Sequence, residues 1–99
     1  MMEIISKELF EAVYSKTLEE LNLDLDDLKY VNIDGFYFKC KEWAFKNNRE
    51  LYSSSRGHCY ISNLNRNNTS NTIDHYAETE IEAVIKACEY ILQQNKKGI

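Results

Sequence analysis

TEIEAVIKACEYILQQNKK, residues Thr79–Lys97, is the stretch whose reading decides the fold. Ile81, Val84, Ile85, Cys88, Ile91 and Leu92 recur at three- and four-residue steps, while Glu80, Glu82, Lys86, Glu89 and Gln93 fall on the other side. That period is the signature of an amphipathic helix. Thr79 with Glu82 fits a capping box, the threonine oxygen taking a first-turn N–H and the glutamate reaching back to the cap. Lys96 and Lys97 stand where the helix dipole favours cations, and Gly98 can close the end in a left-handed conformation. At about 1.5 Å per residue the helix is a rod of about 27 Å, as long as a small domain is wide. The rest of the chain must supply what its apolar stripe packs against.

The chain has 99 residues, which suits one domain around one core, spanning residues 1–99. Apolar residues make up 43% and charged residues 28%, proportions that exclude a disordered or membrane-spanning class. No apolar run approaches the roughly 18 residues of a membrane span. Met1–Ser6 lacks the basic start and apolar stretch of a signal peptide, so the expected compartment is the cytoplasm, with no membrane partner. Cys40, Cys59 and Cys88 are an odd count without a close pair, which argues against a disulfide framework and a zinc knuckle. They read as reduced and mostly buried.

The net charge of −4 is unevenly spread. Met1–Asp34 carries three Lys against nine acids, Phe36–Arg66 six Lys and Arg against two acids, and the remainder three Lys against five acids. An acidic first third beside a basic middle can make a bipolar surface that steers a partner, or the two can pair within the fold.

Working back to the start of the chain, Ser6 can cap a helix from Lys7 to about Lys16 on the stripe Leu9, Phe10, Val13 and Tyr14. Leu21-Asn22-Leu23-Asp24-Leu25 alternates as a half-buried strand does, Asp26-Asp27 is a turn signal, and Tyr30-Val31-Asn32-Ile33 resumes the alternation. This predicts a hairpin, with a short helix over Leu25 to Tyr30 as the competing reading. Asp34-Gly35 then caps a helix from Phe36 to about Asn47, whose face carries Phe36, Cys40, Trp43, Ala44 and Asn47. Asn47-Asn48 can stop it, because Asn tolerates the left-handed position. Glu50–Ser54 and His58–Leu64 read as strands joined by Ser55-Arg56-Gly57. Ser62–Thr72 is Asn-rich and too polar to bury itself, so it reads as a mobile loop. Thr72–Ala77 can add one more strand. The expectation is an α+β domain, order α-β-β-α-β-β-(β)-α, with three helices on an antiparallel sheet of four to five short strands.

Three stretches together resemble a known group: Ser6-Lys7-Glu8-Leu9 through Ala12-Val13; Cys40-Lys41-Glu42-Trp43-Ala44; and Glu78-Thr79-Glu80 through Ala83 to Cys88-Glu89-Tyr90-Ile91-Leu92. They resemble small phage- and prophage-encoded proteins of uncharacterised function. The resemblance implies a bacterial or viral cytoplasm, an accessory role, and a host or phage protein as partner. Its motifs are helix cores and caps, so it carries no site residue. The Asn-rich tract is where the chain departs most from that group.

The residues that could carry chemistry are few. Gly57-His58-Cys59-Tyr60 with His75 suggests a Cys–His pair, but neighbours on a strand point to opposite faces, so His58 cannot activate Cys59 and only His75 could. The plainer alternative is a Cys59 that fills the core beside a surface His58. Cys40, Cys59, Cys88, His58 and His75 lack the short-spaced pairs of a metal module, and no cofactor is called for. Glu19-Glu20 and Asp26-Asp27 are adjacent acids of the kind found in solvated turns. No enzymatic constellation stands out. Lys39, Lys41, Lys46, Arg49, Arg56 and Arg66 near Tyr52 and Tyr60 suggest a nucleic-acid module built on the basic hairpin, against which stands the net negative charge. The leading expectation is protein–protein interaction. Seven Tyr, one Trp and four Phe exceed what one small core hides, and Tyr37, Tyr52, Tyr60, Tyr76 and Tyr90 fall off the assigned stripes. The candidate surface is Tyr52, Arg56, His58 and Tyr60, facing a host or phage protein or a second copy in a homodimer.

Overall fold

The computed structural model describes residues 5–63 and 73–97. The chain runs through α1 (Lys7–Tyr14), a 3-10 helix (Leu25–Tyr30), α2 (Ile33–Lys46), β1 (Arg49–Ser54), β2 (His58–Asn63), β3 (Ile73–Tyr76) and α3 (Glu80–Lys97). The three strands form an antiparallel sheet in the order β1-β2-β3. This is an α+β fold with three α-helices, and its sheet has three strands among the described residues. No helix among them is long and apolar enough to cross a membrane.

Helix α3 forms the spine of the fold, since it packs on all three strands and on both other helices. Val84, Cys88 and Ile91 on its stripe are fully buried, against Phe36, Cys40 and Ala44 of α2, Leu9 of α1, and Cys59 of β2. Phe36 stacks on Phe10 and Tyr14, at centroid distances of 6.1 Å to each, which fastens α2 to α1. The start of α3 is capped as its sequence demands, in a variant geometry. The Glu82 N–H donates to Thr79 Oγ1 at 3.2 Å, and the carboxylate accepts from the threonine hydroxyl at 3.1 Å. The cap thus closes through the hydroxyl. At the far end the Lys96 ammonium pairs with the Glu8 carboxylate of α1 and holds that carboxyl below its ordinary range. Gly98 and the Asn-rich segment 64–72 lie outside the described residues.

The predicted hairpin over Leu21–Ile33 does not form. Leu23 N–H bonds back to Leu18 O at 2.9 Å, the Thr17 and Glu20 side chains each accept the other's N–H, and Asn22 turns at φ 61°. Leu18 and Leu28 are buried, with Leu21 and Leu23 half-buried against the core. The alternating leucines are therefore a compact turn followed by the 3-10 helix of the competing reading. Asp27 accepts the Asp24 N–H at 2.7 Å, so Asp26-Asp27 opens a helical turn instead of a hairpin. Helix α2 begins three residues earlier than predicted. Its cap is Asn32, whose Oδ1 accepts the Gly35 N–H at 3.1 Å, and Asp34 lies inside the first turn.

Ser6 caps α1 as expected, although α1 ends at Tyr14 with Ser15 in the left-handed region. Asn48 closes α2 at φ 64°. The β1–β2 turn depends on Gly57 at φ 81°, where a side chain is strained by conformation and has no room. A Cβ there would stand 2.1 Å from Ala77 O. The close approach lets Ala77 N–H bond Gly57 O at 2.8 Å, tying the hairpin tip to the link between β3 and α3.

Candidate functional site

Strand alternation sorts the sheet into two faces. The cross-strand sets Leu51–Ile61 and Ser53–Cys59–His75 belong to one face. Leu51, Cys59 and Ile61 are buried there beneath the helices. The other face carries Tyr52–Tyr60–Asp74 in one row and Ser54–His58–Tyr76 in the next, with Glu50 and Ser62 beyond. No described element covers this outer face. Tyr52 is 51% exposed and Tyr76 64%.

Its side chains form two clusters. The Tyr52 and Tyr60 rings meet at 5.8 Å between centroids, and the Tyr52 hydroxyl donates to Glu50 Oε1 at 3.0 Å. That bond and the Glu50 charge push the Tyr52 hydroxyl above its ordinary pKa. The His58 and Tyr76 rings meet at 4.9 Å, and His58 Nε2 lies 3.0 Å from Asp74 Oδ1. Each aromatic pair thus has its own carboxylate. Neither Lys nor Arg is among the outer-face residues just named.

Of the four residues singled out from sequence, Tyr52, His58 and Tyr60 share this face. Arg56 sits apart, exposed in the turn at the hairpin tip. Sequence reasoning missed Glu50, Asp74 and the place of Tyr76. Glu50 is readable from alternation, being two residues before Tyr52. Asp74 and Tyr76 join only through the β2–β3 register across segment 64–72, which no local pattern encodes. Tyr37, Tyr60 and Tyr90 are half-buried, contrary to the exposure expected of them. The Tyr37 hydroxyl donates to Glu80 Oε2 at 2.8 Å, and Ser53 donates to the same oxygen at 2.5 Å. These two bonds lower the Glu80 carboxyl and clamp α2, β1 and the start of α3 together.

Of the basic residues of the middle segment, Arg66 lies outside the described residues, and Lys39, Lys41 and Arg49 are engaged away from Tyr52 and Tyr60. Lys39 pairs with Glu42 at 3.8 Å, Lys41 lies over the Tyr37 ring at 4.8 Å, and Arg49 donates to Asn47 O at 2.6 Å. Larger apolar side chains are exposed on α2 as well, Phe38 at 69% and Phe45 at 60%.

On the inner face, Cys59 and His75 are direct cross-strand partners, as the only feasible Cys–His pairing required. Cys59 is fully buried, and burial pushes its thiol up to about 11. A thiol with so little thiolate at neutral pH is a poor nucleophile. His75 Nε2 is buried without a hydrogen-bond partner. All three cysteines are free and buried, as expected. A hydrogen bond to Cys40 together with burial holds the Cys88 thiol well above its ordinary range. No group of three His, Cys, Asp or Glu side chains among the described residues is arranged to hold a metal ion.

Comparison with known protein families, curated proteins and solved structures finds no match to the chain.

Proposed function

We propose that this protein is a non-enzymatic binding module that docks a partner protein on the outer face of its sheet. The observation that carries the reading is the pairing there of Tyr52 with Tyr60 and His58 with Tyr76, with no described element above them. Tyrosine supplies a large, stiff contact at low entropy cost and is enriched where interfaces concentrate their energy. Sheet-mounted rings need no rearrangement before they bind, so little affinity is lost to ordering. A host or phage protein is the partner that the sequence resemblance suggests.

Stacking of nucleic-acid bases is the competing use of an open aromatic sheet face. The carboxylates of Glu50 and Asp74 oppose it, because phosphate contacts supply most of such affinity. The discriminating experiment is retention from bacterial lysate by the tagged protein, with and without nuclease, beside a Tyr52→Ser/Tyr76→Ser variant. Each change removes one cross-strand ring pair, a loss of about 0.2–1 kcal/mol apiece, so the variant is used only once circular dichroism shows it folded at the assay temperature. The expected result is one protein retained by the wild type after nuclease treatment and lost by the variant. Retention that vanishes with nuclease, or that both proteins share equally, defeats the reading.

A further inference from the structure

We infer that the segment docking on the outer sheet face is extended and cationic, with two arginine-type side chains two residues apart. The inference rests on the docking reading above and deepens it by naming the chemistry of the partner.

The first support is charge. Phe36–Arg66 carries six Lys and Arg against two acids, yet the outer-face residues of β1, β2 and β3 include Glu50 and Asp74 and no Lys or Arg. The excess cations of Lys39, Lys41 and Arg49 are directed elsewhere, to Glu42, the Tyr37 ring and Asn47 O. A face with two carboxylates attracts a partner of opposite sign and disfavours an acidic one.

The second support is the kind of group at each carboxylate. A π-face beside an anion binds cations through the ring quadrupole and the ion pair together. Tyr52 and Tyr60 provide rings next to Glu50, and His58 and Tyr76 provide rings next to Asp74. The chain already seats a cation on tyrosine elsewhere, Lys41 Nζ over Tyr37 at 4.8 Å. Guanidinium fits better than ammonium, because it is planar, stacks on a ring and meets a carboxylate with two N–H groups.

The third support is spacing. Tyr60 and His58 stand two residues apart on β2, so the two clusters lie about 7 Å apart along the strand. Alternate side chains of an extended segment repeat at that same interval. A strand-like peptide laid along β2 therefore brings residues i and i+2 over the two clusters, whereas neighbouring residues would point to opposite sides.

The test uses the whole chain and fluorescein-labelled short peptides in a Thr/Val background, read by anisotropy. One peptide has arginines at i and i+2, a second has them at i and i+1, and a third has glutamates at i and i+2. The first is expected to bind, the second about fivefold more weakly for loss of one cation–π seat, and the third not at all. Glu50→Gln and Asp74→Asn should each weaken the first peptide about three- to tenfold, and added salt should weaken it further. Amide shifts of Tyr52, Tyr60 and Tyr76 in a heteronuclear spectrum would place the peptide on the face. Failure of the arginine peptides while the lysate partner still depends on Tyr52 and Tyr76 overturns the cationic inference and leaves the docking reading standing. Failure of both overturns both. Tighter binding of an oligo-dT probe, or self-association abolished by Tyr52→Ser in sedimentation, overturns the inference in favour of those occupants.

Discussion

His75 is a polar residue on the apolar side of the sheet. Its Nε2 is buried without a partner, its ring meets Tyr90 of α3 at 5.4 Å, and Cys59 stands opposite on β2. Burial lowers its pKa from an ordinary value of 6.5, the Lys86 charge lowers it further, and Asp74 opposes them in part. The unfolded chain thus takes up a proton at higher pH than the folded one. Stability is full above about pH 6.5 and declines as pH falls from there towards the depressed folded value. Urea unfolding at pH 7 and pH 5 should show this loss, and His75→Phe should flatten it. An unchanged slope in His75→Phe would place the titrating group elsewhere. The carboxyls of Glu8, Glu20 and Glu80 are held below their ordinary 4.5, so their contribution is lost chiefly as pH falls from about 4.5 downward, and His75→Phe separates the histidine from them.

Among the elements, α2 shows how a cap one turn away changes a boundary. Asn32 accepts the Gly35 N–H, so Asn32→Ala should cost about 1 kcal/mol. Asp34→Ala, inside the first turn, should lose only the dipole contribution of about 0.3–1 kcal/mol. Denaturant titration of both variants decides it, and a larger loss at Asp34 would return the cap to Asp34-Gly35. The helices α1 and α3 and the strands β1 and β2 were legible because their signals are local. Ser6 and Thr79 cap, apolar residues repeat at helical steps, and Gly57 marks the turn. Leu21–Leu25 was misread because five residues of alternation fit both a strand and a tight turn. The bonds that decide between them, such as Leu23 N–H to Leu18 O, leave no periodic trace. The same limit applied to the site. Tyr52, His58 and Tyr60 follow from one hairpin, whereas Asp74 and Tyr76 arrive through strand pairing across intervening chain.

For the molecule as a whole, the ion pairs bear on the uneven charge of the sequence. The ion pairs of the described residues are Lys29–Asp26, Lys39–Glu42 and Lys96–Glu8, and none joins the acidic first third to the basic middle. Close pairing between those two segments is thus absent among the described residues, and steering of a charged partner depends on such charges staying unpaired. The sheet has a consequence of another kind. Its strand order equals its chain order, and β1 meets β2 across Ser55-Arg56-Gly57 alone. Such local pairing forms quickly, and a chain with no proline has no slow isomerisation to wait for. Stopped-flow refolding should follow one exponential with no phase of tens of seconds, and a slow phase would point to a trapped intermediate. The order of the chain has a cost: β1 and β2 precede α3, which packs on all three strands, so a hairpin that pairs before α3 docks leaves Leu51, Cys59 and Ile61 without the helix that buries them.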